Sequence, residues 1–277
     1  MAIRPRKQFG QHWLKSETAL NNIIAAAQLQ RGDRILEIGP GLGVLTDRLL
    51  PYVERLLAVE IDRDLCKKLV KKYGDIDNFL LLEGDFLELD LAQILSNFPQ
   101  FNNYNKVVAN IPYNITAPIL EKLLGTISSP ASNPLESIVL LVQKEVGDRL
   151  VAKPNNKTYG ALSVRVQYLA DCEIICDVPA KDFYPRPKVD SVVIKITPRP
   201  PLKSVQNSKF LETIIKLGFS SRRKMLKNNL KSLIDDENLS EILTELNLNS
   251  KARAENLGLY DWIALSDKLE NLIDKNH

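Results

Sequence analysis

Asn110-Ile111-Pro112-Tyr113 sets an amide, a proline-fixed backbone and an aromatic ring within four residues, directly after the apolar run Val107-Val108-Ala109. That combination suits methyl transfer to an exocyclic amine of a nucleobase. Such an amine is a poor nucleophile, because its lone pair is delocalised into the ring. A site that holds the NH2 group by its protons redirects the lone pair, and carbonyl oxygens can do so without carrying full charge. The carbonyls of Asn110 and of Ile111 or Pro112 are such acceptors, held in place because Pro112 fixes its own φ and restricts Ile111. Tyr113 is placed to stack on the base. Read alone, the same residues would also serve as a turn after a buried strand, so their meaning depends on their neighbours.

Three further segments end apolar runs in polar residues. Glu37-Ile38-Gly39-Pro40-Gly41-Leu42-Gly43 opens a helix, where glycines allow close backbone approach and the helix start offers free N–H groups. The spacing is Gly-x-Gly-x-Gly, with Val44 where the dinucleotide pattern wants a small residue, which favours a different nucleotide-like ligand. Glu60, 21 residues after Gly39, stands where an acid accepts ribose hydroxyl protons. Asp85, in Gly84-Asp85-Phe86, can accept a proton from an adenine amino group. Either acid alone could be a cap. Together with Asn110, however, they put polar groups at the carboxyl ends of four successive strands, the crevice where open α/β sheets bind ligands. An adenosine-bearing cofactor beside an amine-gripping loop indicates S-adenosylmethionine. Its methyl group is already electrophilic, which leaves the protein the work of alignment and electrostatics.

The elements needed to position these groups are legible as alternating patterns. Ser16 caps a first helix running through Ile23, Ile24 and Ala27. Uniformly apolar strands are expected at 34–38, 56–60, 79–83, 106–110 and 137–142, with helices at 44–53, 63–73, 91–98 and 117–124 between them. A helix at 159–169 precedes two strands, 173–178 and 191–197, that close the sheet with an antiparallel edge. Pro198-Arg199-Pro200-Pro201 ends the sheet, and the pattern from Phe210 onward is helical. The expected architecture is α/β: a mostly parallel seven-stranded sheet in residues 1–199 and a small all-α C-terminal domain in 200–277.

With 277 residues and 44% hydrophobic content, the chain can build such a pair of domains. No apolar run reaches the roughly 18 residues of a membrane span, and the basic start leads into Gln8-Phe9-Gly10 rather than an apolar signal region. A cytoplasmic protein is expected. Three cysteines (Cys66, Cys172, Cys176) and two histidines (His12, His277) are too few and scattered for a metal site, and free thiols imply a reducing compartment. The net charge of +3 is unevenly spread. Residues 203–231 carry eight basic residues against Glu212 alone, a phosphate-facing surface or a solvated helix face.

The chain resembles the ribosomal RNA adenine N6-dimethyltransferase family, in the small-subunit branch known as KsgA/RsmA. The resemblance rests on Lys7-Gln8-Phe9-Gly10-Gln11-His12-Trp13-Leu14, the glycine loop, Glu60-Ile61-Asp62, Gly84-Asp85, Asn110-Ile111-Pro112-Tyr113-Asn114-Ile115, Gln143-Lys144-Glu145-Val146, Tyr159-Gly160-Ala161-Leu162-Ser163 and Pro187-Lys188-Val189-Asp190-Ser191. It implies a Rossmann-like class I methyltransferase fold. By the same resemblance His12 and Leu14 cover S-adenosylmethionine, Gly39 lies beside its methionine part, Glu60 takes the ribose and Asp85 the adenine amine. Asn110 sits between cofactor and target. Phe183 would sandwich the flipped adenine with Tyr113, completing a catalytic set of Asn110, Tyr113 and Phe183. The family's usual Asn-Phe is replaced here by His12-Trp13. The implied reaction is dimethylation of two adjacent adenosines in a hairpin near the 3′ end of small-subunit rRNA, in an assembling subunit, by a monomer. The rivals are the resistance branch acting on large-subunit rRNA and a non-catalytic nucleic-acid-binding factor on the same fold. Lys153-Pro154-Asn155-Asn156-Lys157-Thr158 and Phe219-Ser220-Ser221-Arg222-Arg223-Lys224 favour the small-subunit branch.

Overall fold

The fold is seen in a computed structural model that describes residues 4–132, 135–201 and 203–275. In chain order the elements begin with β1 (Trp13–Leu14), α1 (Glu17–Ala27), β2 (Arg34–Ile38), α2 (Thr46–Leu49), β3 (Arg55–Glu60), α3 (Arg63–Tyr73), β4 (Phe79–Glu83), α4 (Leu91–Leu95), β5 (Lys106–Asn110), α5 (Thr116–Leu124) and β6 (Ser137–Gln143). They continue with α6 (Lys144–Val151), α7 (Ala161–Leu169), β7 (Ala170–Val178), β8 (Phe183–Tyr184) and β9 (Ser191–Pro198). The chain then finishes with α8 (Ser208–Gly218), α9 (Leu226–Leu230), α10 (Asp236–Glu245) and α11 (Leu259–Lys275).

Seven strands form one sheet in the order β4-β3-β2-β5-β6-β9-β7. The β2, β3, β4, β5 and β6 pairings are parallel, and β6 runs antiparallel to β9. Strands such as β5 and β6 are buried at nearly every position, with apolar centres, because both faces are covered, so no inside-outside alternation survives. The chain order reverses between β2 and β5, which creates a crevice at the carboxyl ends of these strands. A two-residue ribbon lies apart from the sheet, with Trp13 paired to Tyr184 and Leu14 to Phe183. Its two faces differ, as period-2 geometry requires: Leu14 and Phe183 are buried, whereas Tyr184 is exposed.

The amino edge of the sheet is tied by a buried ion pair. Lys106, the first residue of β5, donates through Nζ to Asp33 Oδ2 at 2.8 Å and to the Gln28 carbonyl at 3.0 Å. Asn105 Nδ2 donates to Asp33 Oδ1, and the Arg34 N–H donates to Asn105 Oδ1. Burial alone would raise the Asp33 pKa, but the hydrogen bonds from Lys106, Asn105 and the Gln30 N–H outweigh it and hold the carboxyl below its usual value.

The chain divides into two compact units, one built from Met1–Leu123, Ser132–Gly147 and Cys172–Pro198, the other from Leu124–Ala131, Asp148–Asp171 and Arg199–His277. The last crossing between the units falls between Pro198 and Arg199, one residue before the division expected at 199/200, and two earlier segments, both read in the sequence as part of the first domain, also belong to the second unit. That unit has its own core, in which Tyr159 and Trp262 are fully buried and Phe219 packs against both rings. Arg222 is committed there. Its Nη2 donates to the carbonyls of Lys157 and Tyr159 and pairs with Glu255.

Some expected boundaries shift for local reasons. The helix expected at 44–53 is α2 followed by a 3-10 turn at Leu50–Tyr52, because Pro51 has no N–H to continue an α-helix. Helix α4 stops at Leu95, shortly before Pro99. Helix α6 follows β6 without an intervening residue and was not anticipated. The three cysteines form no disulfide, and burial pushes the Cys66 thiol up to about 12. No helix among the described residues is long and apolar enough to cross a membrane, and no cluster of metal ligands occurs among them. His277 lies outside the described residues.

Candidate active site

A cavity of about 230 Å³ opens at the carboxyl ends of β2, β3, β4 and β5. His12, Leu14, Gly39, Glu60, Asp85, Asn110 and Tyr113 all line it. The topology explains this meeting: each parallel strand ends at the same edge, so residues far apart in sequence face one crevice. The Gly39 and Gly84 N–H groups extend the ladder by donating to the carbonyls of Val59 and Glu60. Gly41 has a positive φ of 61°, a left-handed conformation that favours glycine, and lies against the Trp13 indole, where an added Cβ would be in ordinary contact at 3.5 Å.

Glu60 is 4% exposed and has no cation as partner among the described residues. Its Oε2 accepts from the Gly41 N–H at 3.0 Å and its Oε1 from the Asp62 N–H at 2.9 Å. Burial raises its pKa, and these two bonds only partly offset that. Each oxygen keeps a lone pair, which fits a ligand bringing hydroxyl protons. Asp85 Oδ1 accepts from the Leu87 N–H at 2.9 Å, and Oδ2 makes no hydrogen bond among the described residues. The donor and acceptor set therefore suits a ribose at Glu60 and an amino group at Asp85.

Asn110 is fixed in orientation. Its Nδ2 donates to the His12 carbonyl at 3.1 Å, which assigns the amide nitrogen and leaves Oδ1 as the end that can accept from an amine. The Tyr113 hydroxyl lies 2.7 Å from Ser191 Oγ, and its ring stacks on His12 with centroids 5.6 Å apart and planes 15° from parallel. Burial raises the Tyr113 pKa, and the hydroxyl stays neutral. His12 Nδ1 lies 2.6 Å from the Pro185 carbonyl, and since that oxygen can only accept, Nδ1 carries the proton.

Phe183 does not join this group. It is 2% exposed, packs with Leu14, Leu20, Ile23 and Val178, and does not line the cavity. In the structure Tyr113 stacks on His12, and Phe183 is not among the residues lining the cavity. The reason lies in the ribbon: Phe183 is cross-strand from Leu14 on its buried face.

Three contributors were not read from the sequence. Glu37 is buried beneath the glycine loop, where it accepts from Thr46 Oγ1 at 2.7 Å. Burial, with Glu60 and Asp47 nearby, pushes its carboxyl up to about 8. Lys122 of α5 donates to the carbonyls of Phe86, Leu87 and Leu89 and lies 5.1 Å from the Phe86 ring centre, stapling the loop that carries Asp85. Asp62, whose side chain is fully buried, accepts from Arg6 at 3.0 Å and Gln11 at 3.0 Å, which latches the segment preceding β1 beside Glu60. No spacing rule points to Lys122 or Arg6, since both read as ordinary surface cations.

A sequence model of the family described as "Ribosomal RNA adenine dimethylase" matches residues 2–271. The chain belongs to the ribosomal RNA adenine dimethylase family. Similar relatives named "Ribosomal RNA small subunit methyltransferase A" come from Picosynechococcus sp., 64% identical over 97% of this chain and 98% of the relative, and from Crocosphaera subtropica, 65% identical over 95% and 98%. Among solved structures, a dimethyladenosine transferase from Plasmodium falciparum matches with a TM-score of 0.74 at 26% identity, over 95% of this chain and 98% of that one. The 23S rRNA methyltransferase ErmE shares the fold, with a TM-score of 0.71 at 23% identity over 93% and 99%. As a member of the rRNA adenine dimethylase family, the chain is a methyltransferase on a Rossmann-like scaffold, with S-adenosylmethionine as methyl donor.

Proposed function

We propose that this enzyme dimethylates N6 of two adjacent adenosines in the 3′-terminal hairpin loop of small-subunit rRNA, in a subunit still being assembled. The observation that carries the chemistry is Asn110, anchored to the His12 carbonyl through Nδ2 so that Oδ1 is the end available to an adenine amine. S-adenosylmethionine supplies an electrophilic methyl group on a sulfonium. Asn110 Oδ1 and the backbone carbonyl of Ile111 or Pro112 hold the two N6 protons and turn the lone pair away from the ring. Tyr113 offers a face for the base. Glu60 accepts from the ribose hydroxyls and Asp85 from the adenine amine of the donor. Alignment dominates, and the proton displaced from N6 leaves to water.

The choice of small-subunit rRNA is supported by relatives of that name that are 56–65% identical and match nearly the whole chain. The rival 23S enzyme is similar only at the level of fold. Action as a monomer in the cytoplasm belongs to the same proposal. Incubation with labelled S-adenosylmethionine and unmethylated subunits, followed by primer extension, tests the substrate. Label is expected at two adjacent adenosines of the small subunit, in immature more than mature particles; label confined to the large subunit would overturn the assignment.

A further inference from the structure

The ribbon of β1 and β8 is only two residue pairs long, and an isolated two-stranded pairing of that size has little stability of its own. Its anchor is the Leu14/Phe183 pair, 6% and 2% exposed. The opposite pair, Trp13 and Tyr184, therefore faces outward by geometry. Trp13 lines the cavity while Tyr184 remains 55% exposed, with ring centroids 6.3 Å apart and planes tilted by 37°.

A single exposed aromatic is ordinary. The surroundings of Tyr184 are not. Lys15 holds its ammonium 5.8 Å from the Tyr184 ring centre. Lys181, Arg186 and Lys188 are exposed on the same short segment, and none of these four cations has an ion-pair partner among the described residues. Of the segment's acids, Asp190 is turned onto the Ala180 N–H at 2.8 Å, leaving Asp182 as the counter-charge. The segment is also fixed to the catalytic loop, because Pro185 accepts from the His12 ring that stacks on Tyr113.

We propose that the outer face of this ribbon is a stacking platform for the unpaired nucleotide next to the methylated adenosine. Tyr184 takes the base, and Lys15, Arg186 and Lys188 take the adjoining phosphates. The chemistry is that of single-stranded nucleic-acid recognition, in which an aromatic face accepts any base and neighbouring cations track the backbone. A base leaving its stack to reach Asn110 exposes its neighbour's face, and Tyr184 replaces the lost stacking partner. The inference rests on the rRNA reading above and adds a substrate contact that Phe183, being buried, does not supply.

The test uses the full-length enzyme and an RNA hairpin of the small-subunit target loop, with 2-aminopurine beside the target adenosine. Fluorescence is expected to be quenched on binding to wild type and to Tyr184→Phe, and to stay high with Tyr184→Ala. Tyr184→Ala should raise the RNA Kd and KM about tenfold, with kcat at saturating RNA and the Kd for S-adenosylmethionine unchanged, since Tyr184 does not line the cavity. The double variant Arg186→Gln/Lys188→Gln should lower the slope of log Kd against log salt by about 1–2. Unchanged quenching and RNA affinity in Tyr184→Ala, or an equal loss in Tyr184→Phe, would overturn the platform. Failure of wild type to methylate small subunits would instead overturn the function on which it rests, and the two failures are read in separate assays.

Discussion

Asp33 stands just before β2 and Glu60 ends β3, so neighbouring strands carry one buried acid at the amino edge of the sheet and another at the carboxyl edge. The two meet opposite surroundings. Asp33 is matched by Lys106 and two further donors, and its pKa falls. Among the described residues Glu60 and its neighbour Glu37 meet no cation, only backbone N–H or hydroxyl donors, and their pKa values rise. A closed set of charges holds one edge together. At the other, incompletely satisfied acids leave acceptor capacity for a ligand, and the uncharged cost is borne by the fold.

The largest effect should come from breaking the closed edge. Lys106→Met leaves Asp33 buried without its cation and should cost about 3–5 kcal/mol of stability at pH 7, measured by urea unfolding. Because the folded Asp33 pKa is lowered, its contribution is present above the unfolded value near 3.8 and disappears as pH falls through the folded one. A variant as stable as wild type at pH 7 would refute the pairing.

The open edge should respond in turnover rather than in folding. Asn110→Ala is expected to lower kcat about 10²–10³-fold while the urea midpoint moves little; single-turnover methyl transfer gives the rate, and wild-type turnover would remove Asn110 from the mechanism. Glu37→Gln should do the opposite of Lys106→Met. The folded Glu37 pKa lies near 8 against an unfolded value of 4.5, so the stability present below 4.5 is lost as pH rises towards 8. The neutral variant escapes that loss, so its advantage over wild type should grow steadily from pH 5 to pH 8 and vanish at pH 4. Parallel stability curves for the two proteins would show that Glu37 is not strained by burial. Smallest, Lys122→Met should loosen the Phe86–Leu89 loop and weaken S-adenosylmethionine about fivefold, as read by calorimetry, with kcat at saturation retained. An unchanged Kd would make Lys122 a surface lysine.

Much of the open edge was legible because it combines two independent patterns, an apolar strand and a polar residue directly after it. The closed edge was not, since Asp33 and Lys106 sit 73 residues apart and neither has a spacing signature. Helix α6 escaped notice because β6 passes into it with no glycine or proline between Gln143 and Lys144. The ribbon escaped because two residues are too few to show a period. For the same reason the motif around Phe183 identified the segment but not which of its faces is buried. Within the basic tail, Arg222 donates to the carbonyls of Lys157 and Tyr159, contacts that no spacing in the sequence announces.

The contact between Asn110 Nδ2 and the His12 carbonyl has a consequence for the order of events. A terminal amide can rotate to present either its oxygen or its NH2 group, and only the oxygen welcomes an amine. Here the choice is made by a backbone carbonyl 98 residues earlier in the chain, on the segment latched to Asp62 by Arg6 and Gln11. In the reaction proposed for Asn110 the amide would thus work as an interlock, its oxygen turned to the target only through the seating of the leading segment on Asp62.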